Sequence, residues 1–126
     1  MIDLRGLVQT ALDTALDEEV LVYWQRKSGD DADEYIVYTL AGDSSESHAD
    51  DSALVMVGTL TVRYYYRAEK ISTHTGREDV KTRESIIQEA LEGSGFDIPF
   101  GRFDAGDVDD IGYYVTVWEC EYWRVI

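Results

Sequence analysis

The sequence predicts an α+β domain: an antiparallel sheet of about five strands with two helices packed on one face, in the order α-β-β-β-α-β-β. Three observations lead there. Two segments carry apolar residues at helical spacing. The segments between and after them alternate in the strand manner and are rich in Val, Tyr and Trp. Strands come in groups instead of alternating one for one with helices, which is the α+β pattern.

The opening segment IDLRGLVQTALDTALDEE places Ile2, Leu4, Leu7, Val8, Ala11, Leu12, Ala15 and Leu16 on one helical face. Asp3, Gln9, Asp13 and Asp17 fall on the wet side. Glu19–Gln25, EVLVYWQ, reads as a strand. Arg26–Glu34, RKSGDDADE, reads as a turn, and EYIVYTLAG returns as a second strand, so the two are expected to form a hairpin. Gly42–Ser52, GDSSESHADDS, is polar and without apolar period, hence a loop. SALVMVGTLTVRYYYRA follows as a long strand. Leu54, Met56, Leu60, Val62, Tyr64 and Tyr66 lie on one face by twos. Val55, Val57, Thr59, Thr61, Arg63, Tyr65 and Arg67 lie on the other. Gly58 in mid-strand signals a bulge or a close backbone approach.

EKISTHTG, Glu69–Gly76, reads as a loop leading into the second helix. Thr75 and Glu78 have capping-box spacing. Val80, Ile86, Ile87, Ala90 and Leu91 form its apolar stripe, and Gly93 is placed just past its end. GFDIPFGRFDAG holds a short strand interrupted by Pro99, the sole proline. IGYYVTVWECEYWRVI closes the chain as its most strand-like segment. Tyr64, Tyr65 and Tyr66 in the third strand and Tyr113, Tyr114, Trp118, Tyr122 and Trp123 in the last have two readings. They pair across strands within the sheet, or they form a subunit interface.

A chain of 126 residues without a repeat or linker forms one domain, residues 1–126. No window reaches the ~18 consecutive apolar residues of a membrane span. Met1 leads into a segment without a basic region and an unbroken apolar run, so no signal peptide is expected. Cys120 is the only cysteine. That excludes an intrachain disulfide and a cysteine-based zinc site, and fits a reducing, intracellular place of synthesis. Twenty-six acidic residues face eleven basic ones, for a formal charge of −15. Such a surface repels phosphates, so nucleic-acid binding through a basic footprint is not expected. Asp outnumbers Glu fifteen to eleven, and Arg outnumbers Lys eight to three. This balance suits either a halophilic cytoplasm or an acidic functional surface in an ordinary one.

The motifs point away from catalysis. FDAGDVDDIG puts Asp104, Asp107, Asp109 and Asp110 into ten residues. From Asp107 a calcium loop would need ligands where Ile111 and Trp118 stand, and from Asp104 it would need them at Gly106 and Val108. Both registers fail, and the stretch reads as the turn of the C-terminal hairpin. Asp43, Ser45 and Ser47 fit the D-x-S-x-S pattern of metal-dependent adhesion sites, but the parallel α/β setting of those sites is missing. His48 and His74 have no metal-spaced partner. No nucleophile elbow, phosphate loop or dinucleotide fingerprint occurs. No cofactor, metal or enzymatic activity is expected.

The layout taken whole, from IDLRGLVQTAL through LVMVGTLTVRYYYR and RESIIQEALEG to YYVTVWECEYWRV, resembles the tail terminator, or tail-completion, proteins of long-tailed phages and related viruses. The resemblance implies a virion protein of the neck, assembled in the host cytoplasm. It implies a homomeric ring, a hexamer, seated between the tail tube protein and the head connector proteins. Such a ring stops tube polymerisation and joins tail to head. DNA would pass through its acidic lumen without specific binding. Candidate assembly residues are the local basic concentration Arg63, Arg67 and Lys70, then His74, and the aspartates Asp104, Asp107, Asp109 and Asp110. The loops Gly42–Ser52 and Glu69–Gly76 are expected to order on assembly. The alternatives are another neck component (a head-completion or adaptor protein) or a small acidic ligand- or calcium-binding accessory domain.

Overall fold

The computed structural model describes residues 3–17, 19–25, 32–41, 54–107 and 112–125, except the side chains at 54, 55, 107, 124 and 125. Among them are two α-helices and one six-stranded sheet, the α+β class that the sequence predicts. The elements are α1 (Leu4–Leu16), β1 (Leu21–Trp24), β2 (Glu34–Ala41), β3 (Leu54–Arg67), a 3-10 turn (Ala68–Ser72), α2 (His74–Gly93), β4 (Phe96–Asp97), β5 (Arg102–Asp107) and β6 (Tyr113–Val125). The sheet order is β1-β2-β3-β6-β4, with β5 also on β6. No described helix is long and apolar enough to cross a membrane.

Both helices lie on one face. Leu4, Val8, Leu12 and Leu16 of α1 and Val80, Ile87 and Leu91 of α2 pack with Ile36, Tyr38, Leu60, Val62, Tyr64, Trp118 and Cys120 of the sheet. Burying each Leu or Ile side chain contributes roughly 1.5–3 kcal/mol, so this layer carries most of the fold. Asp3, expected on the wet side of the helix, instead caps α1: its Oδ1 accepts from the Gly6 amide at 3.0 Å. Gln9, also expected to be wet, bridges helix and sheet. It donates to the Val22 carbonyl at 3.3 Å and accepts from the Tyr38 hydroxyl at 2.8 Å.

Four expectations need correction. First, β1 and β2 are not a hairpin: they pair in parallel, Leu21 opposite Tyr35 and Trp24 opposite Tyr38, so the sheet is mixed. Period-2 alternation puts the same residues on the same face in either direction, so it could not choose between them. The residues Gln25–Asp33 are enough to carry the chain back along a four-residue strand, and Gln25 starts the reversal with φ 71°. Second, α2 starts at His74 with Thr73 as its cap. Thr73 Oγ1 accepts from the Gly76 amide at 3.0 Å, and the capping role given to Thr75 is not used. Third, Gly93 is the last helical residue, and Gly95, with φ 97°, makes the left-handed exit. Fourth, Glu69–Gly76 is a 3-10 turn followed by the first helical turn, not an open loop.

The bulge signalled by Gly58 is present, between Met56 and Gly58. It shifts the alternation by one residue, so Val57 and not Met56 packs against the core. In FDAGDVDDIG, Phe103–Asp107 belong to β5, with a second bulge between Asp104 and Gly106. Only the remainder is left to connect β5 to β6. Gly42–Ser52 lies outside the described residues, as do Asp109 and Asp110.

Gly76 sits where the 3-10 turn meets α2. A Cβ there would overlap the Lys70 carbonyl, which is backbone and cannot swing away. Gly76→Ala is expected to cost about 1–3 kcal/mol, against the gain usual for Gly→Ala within a helix. Urea unfolding of the two proteins side by side measures it, and an unchanged or raised midpoint contradicts the overlap.

Candidate functional site

Alternation along the strands gives the sheet two different faces, and the chemistry of each is distinct. On the helix side a polar seam runs under α2. Glu34 accepts from the Tyr64 hydroxyl at 2.6 Å and from Arg83 Nε at 3.1 Å, and Lys70 Nζ lies 3.3 Å from its second oxygen. Arg83 also reaches Glu19 at 3.3 Å. Farther along, the Thr116 hydroxyl donates to Glu84 at 2.6 Å. Gln88 Oε1 accepts from Arg102 at 2.8 Å and from Trp118 Nε1 at 3.3 Å. Burial alone would raise the Glu34 carboxyl, but the hydrogen bonds from Tyr64 and Arg83 and the charges of Arg83 and Lys70 hold it below its ordinary value. Burial, with the bond to Glu34, drives the Tyr64 hydroxyl far upward. Among the described residues no buried side-chain polar atom lacks a partner. The seam therefore acts as an internal tie between helix and sheet.

The opposite face has no helix over it. Tyr35, Val37, Tyr113, Val115 and Val117 are buried there by their neighbours on the same face. Tyr35 is the hub of a ring cluster: stacked on Tyr65 at 4.8 Å, and edge-on to Tyr113 at 5.4 Å and Tyr23 at 6.3 Å. Burial, reinforced by the other three phenols, pushes its hydroxyl up to about 12. Each such aromatic pair adds roughly 0.5–1.5 kcal/mol beyond area. Toward the other end of this face, Thr59, Thr61, Glu119, Glu121, Pro99 and Phe100 border an open groove of about 260 Å³.

The anticipated assembly residues separate between these faces. Arg63 stands on the helix-free face, opposite Val37 and Val117. Arg67, on the same face, reaches Asp33 at 3.2 Å and lies 5.0 Å over the Tyr113 ring. Lys70 belongs to the helix side, on Glu34. The three cations thus form no common patch. His74 is exposed at the start of α2. Asp104 is exposed on β5, opposite Thr116. Asp107 ends β5, and its side chain, like Asp109 and Asp110, lies outside the described residues. Among the described residues no three His, Cys, Asp or Glu side chains gather as metal ligands do.

Sequence reasoning missed Arg83 and Glu84, the two α2 residues that anchor the seam. A signal was there: Val80, Glu84, Ile87 and Leu91 follow 4-3-4 spacing, so Glu84 occupies a core position of the helix. It also missed how the exposed apolar side chains are distributed. The large exposed ones are Leu21, Trp24, Phe100 and Phe103. Two belong to β1, one sheet edge, and two to the β4–β5 edge opposite. Between Asp97, opposite Glu121, and Arg102, opposite Trp118, four residues face two, and Phe100 projects from that excursion, 82% exposed.

Cys120 is buried and points into the core. Burial first, then the Asp97 and Glu119 charges, push its thiol up to about 12. The folded protein is expected to react with iodoacetamide at pH 8 at least about 100-fold more slowly than the urea-unfolded chain, because thiolate and access are both withheld. Equal rates would show that the strand opens readily. No family model and no curated protein matches the chain.

Proposed function

We propose that this chain is a non-catalytic virion protein, a tail terminator that closes into a homohexameric ring between tail tube and head connector. The observation that supports it is the placement of the exposed apolar side chains. Leu21 and Trp24 on one sheet edge and Phe100 and Phe103 on the other are two unlike surfaces on opposite sides of one subunit. A head-to-tail contact between such edges buries all four, and a head-to-tail contact whose rotation closes makes a ring. An uncovered sheet edge also invites strand addition from a neighbour. The charge of −15 fits a lumen along which DNA slides without sticking.

Native mass spectrometry of the full chain, alone and with the tail tube protein encoded beside it, tests the reading. Six subunits in a closed ring are expected. Trp24→Glu and Phe100→Glu should each abolish the ring. Mixed, they should stop at a heterodimer, because each retains the edge the other has lost. A chain that stays a single subunit in both conditions, or a ring indifferent to both substitutions, overturns it.

A further inference from the structure

The helix-free face of the sheet is divided by charge. At one end stand Arg63, Arg67 and the tyrosine cluster. At the other, one to two rungs along, stand Glu119, Glu121 and Asp97. No other described cation lies on this face: Arg102, the nearest by strand, pairs opposite Trp118 and turns to the helix side. Between the charged ends runs an apolar band of Val37, Val115 and Val117.

We infer that two copies of this chain pair through these helix-free faces about a two-fold axis, with Arg63 of each copy against Glu119 of the other. Arg63 is flanked by two buried valines, opposite Val37 on β2 and Val117 on β6. Glu119 is exposed. Among the described residues neither has an ion-pair or hydrogen-bond partner, although they occupy diagonal rungs of the same two strands. An axis lying in the face, at right angles to the line joining them, exchanges the two positions. The face then meets itself with opposite charges in register, the condition for an isologous contact. A chain of net charge −15 offers a foreign acidic partner only repulsion, and a basic partner would meet Arg63 and Arg67 as like charges. A second copy satisfies both ends at once. The buried patch would be rich in Tyr and Arg, as interface centres are.

This contact does not depend on the ring reading. It closes at two copies and leaves both sheet edges free, whereas ring closure uses the edges and ends at six. Sedimentation equilibrium in about 0.3 M salt, where repulsion between net charges is screened within roughly 10 Å, reads the difference. The wild-type chain is expected at twice its subunit mass at tens of micromolar. Arg63→Glu should raise the dissociation constant at least about tenfold, and Glu119→Arg, on an exposed side chain, should do the same alone. The swap Arg63→Glu with Glu119→Arg keeps the net charge and should restore pairing. Lys81→Glu, exposed on α2, alters net charge as Arg63→Glu does and should change nothing. A wild-type chain of single-subunit mass at about 200 µM overturns the proposal. So does a pair unaffected by either single substitution, or a swap that fails to recover it. A six-subunit mass with no two-subunit state sinks this contact while leaving the ring intact, and the converse result sinks the ring alone.

Discussion

Trp118→Ala is expected to lower the stability of the domain by about 3–5 kcal/mol, the largest effect of any single truncation in the core. Trp118 is fully buried in the middle of β6 and contributes to the layer shared by both helices and the sheet. Its neighbours on the rung, Val62 on β3 and Arg102 on β5, are held by their own ladders and cannot collapse into the space. Lost burial and a residual cavity therefore add. The indole also donates to Gln88 Oε1, but that oxygen keeps a shorter bond from Arg102 at 2.8 Å. Trp118→Phe removes the donor and keeps most of the ring, so it should cost well under half as much. Urea denaturation of the three proteins decides it. If the phenylalanine variant is as damaged as the alanine one, the hydrogen bond and not packing holds this position.

The contrast between what the sequence declares and what it conceals follows from the range of the forces involved. Helix and strand character are local, so α1, α2, β3 and β6 were legible from period alone, as was the bulge at Gly58. Strand direction is not local. Val22 and Ile36 share the core face whether β1 and β2 run parallel or antiparallel, and only the path from Gln25 to Asp33 decides between them. Caps were displaced by one or two residues because several candidates were crowded together. Thr73 and Thr75 are equally good caps by type, and the packing of Gly76 on the Lys70 carbonyl selects the former. The candidate surfaces were less legible still. The basic concentration Arg63, Arg67 and Lys70 is continuous in sequence but divided by the end of β3, which sends Lys70 to Glu34 on the helix side. The charge division of the helix-free face needs β3 and β6 in register before it exists at all.

Arg83→Met is expected to cost about 2–3 kcal/mol at neutral pH, with an acid dependence that identifies the cause. Arg83 donates to Glu34 and to Glu19, and methionine keeps much of the stem while removing the charge. Glu34, mostly enclosed, is left with Tyr64 and Lys70. Its folded carboxyl is held below the ordinary value of 4.5, so it contributes stability that is fully present above that pH. The contribution is lost as pH falls below 4.5 through the folded value. Removing Arg83 takes away one of the groups that depress it, so the variant has less of this stability to lose in acid. The gap between wild type and Arg83→Met should therefore narrow as pH drops below about 4.5. Glu34→Gln in each background completes a double-mutant cycle, expected to show coupling above the ~0.5 kcal/mol within which independent sites add. A gap that stays constant from pH 7 to pH 3.5, with no coupling to Glu34, assigns the loss to the packing of the arginine stem. In that event α2 is held to the sheet by its Val80, Ile87 and Leu91 contacts alone, and the polar seam is a passenger.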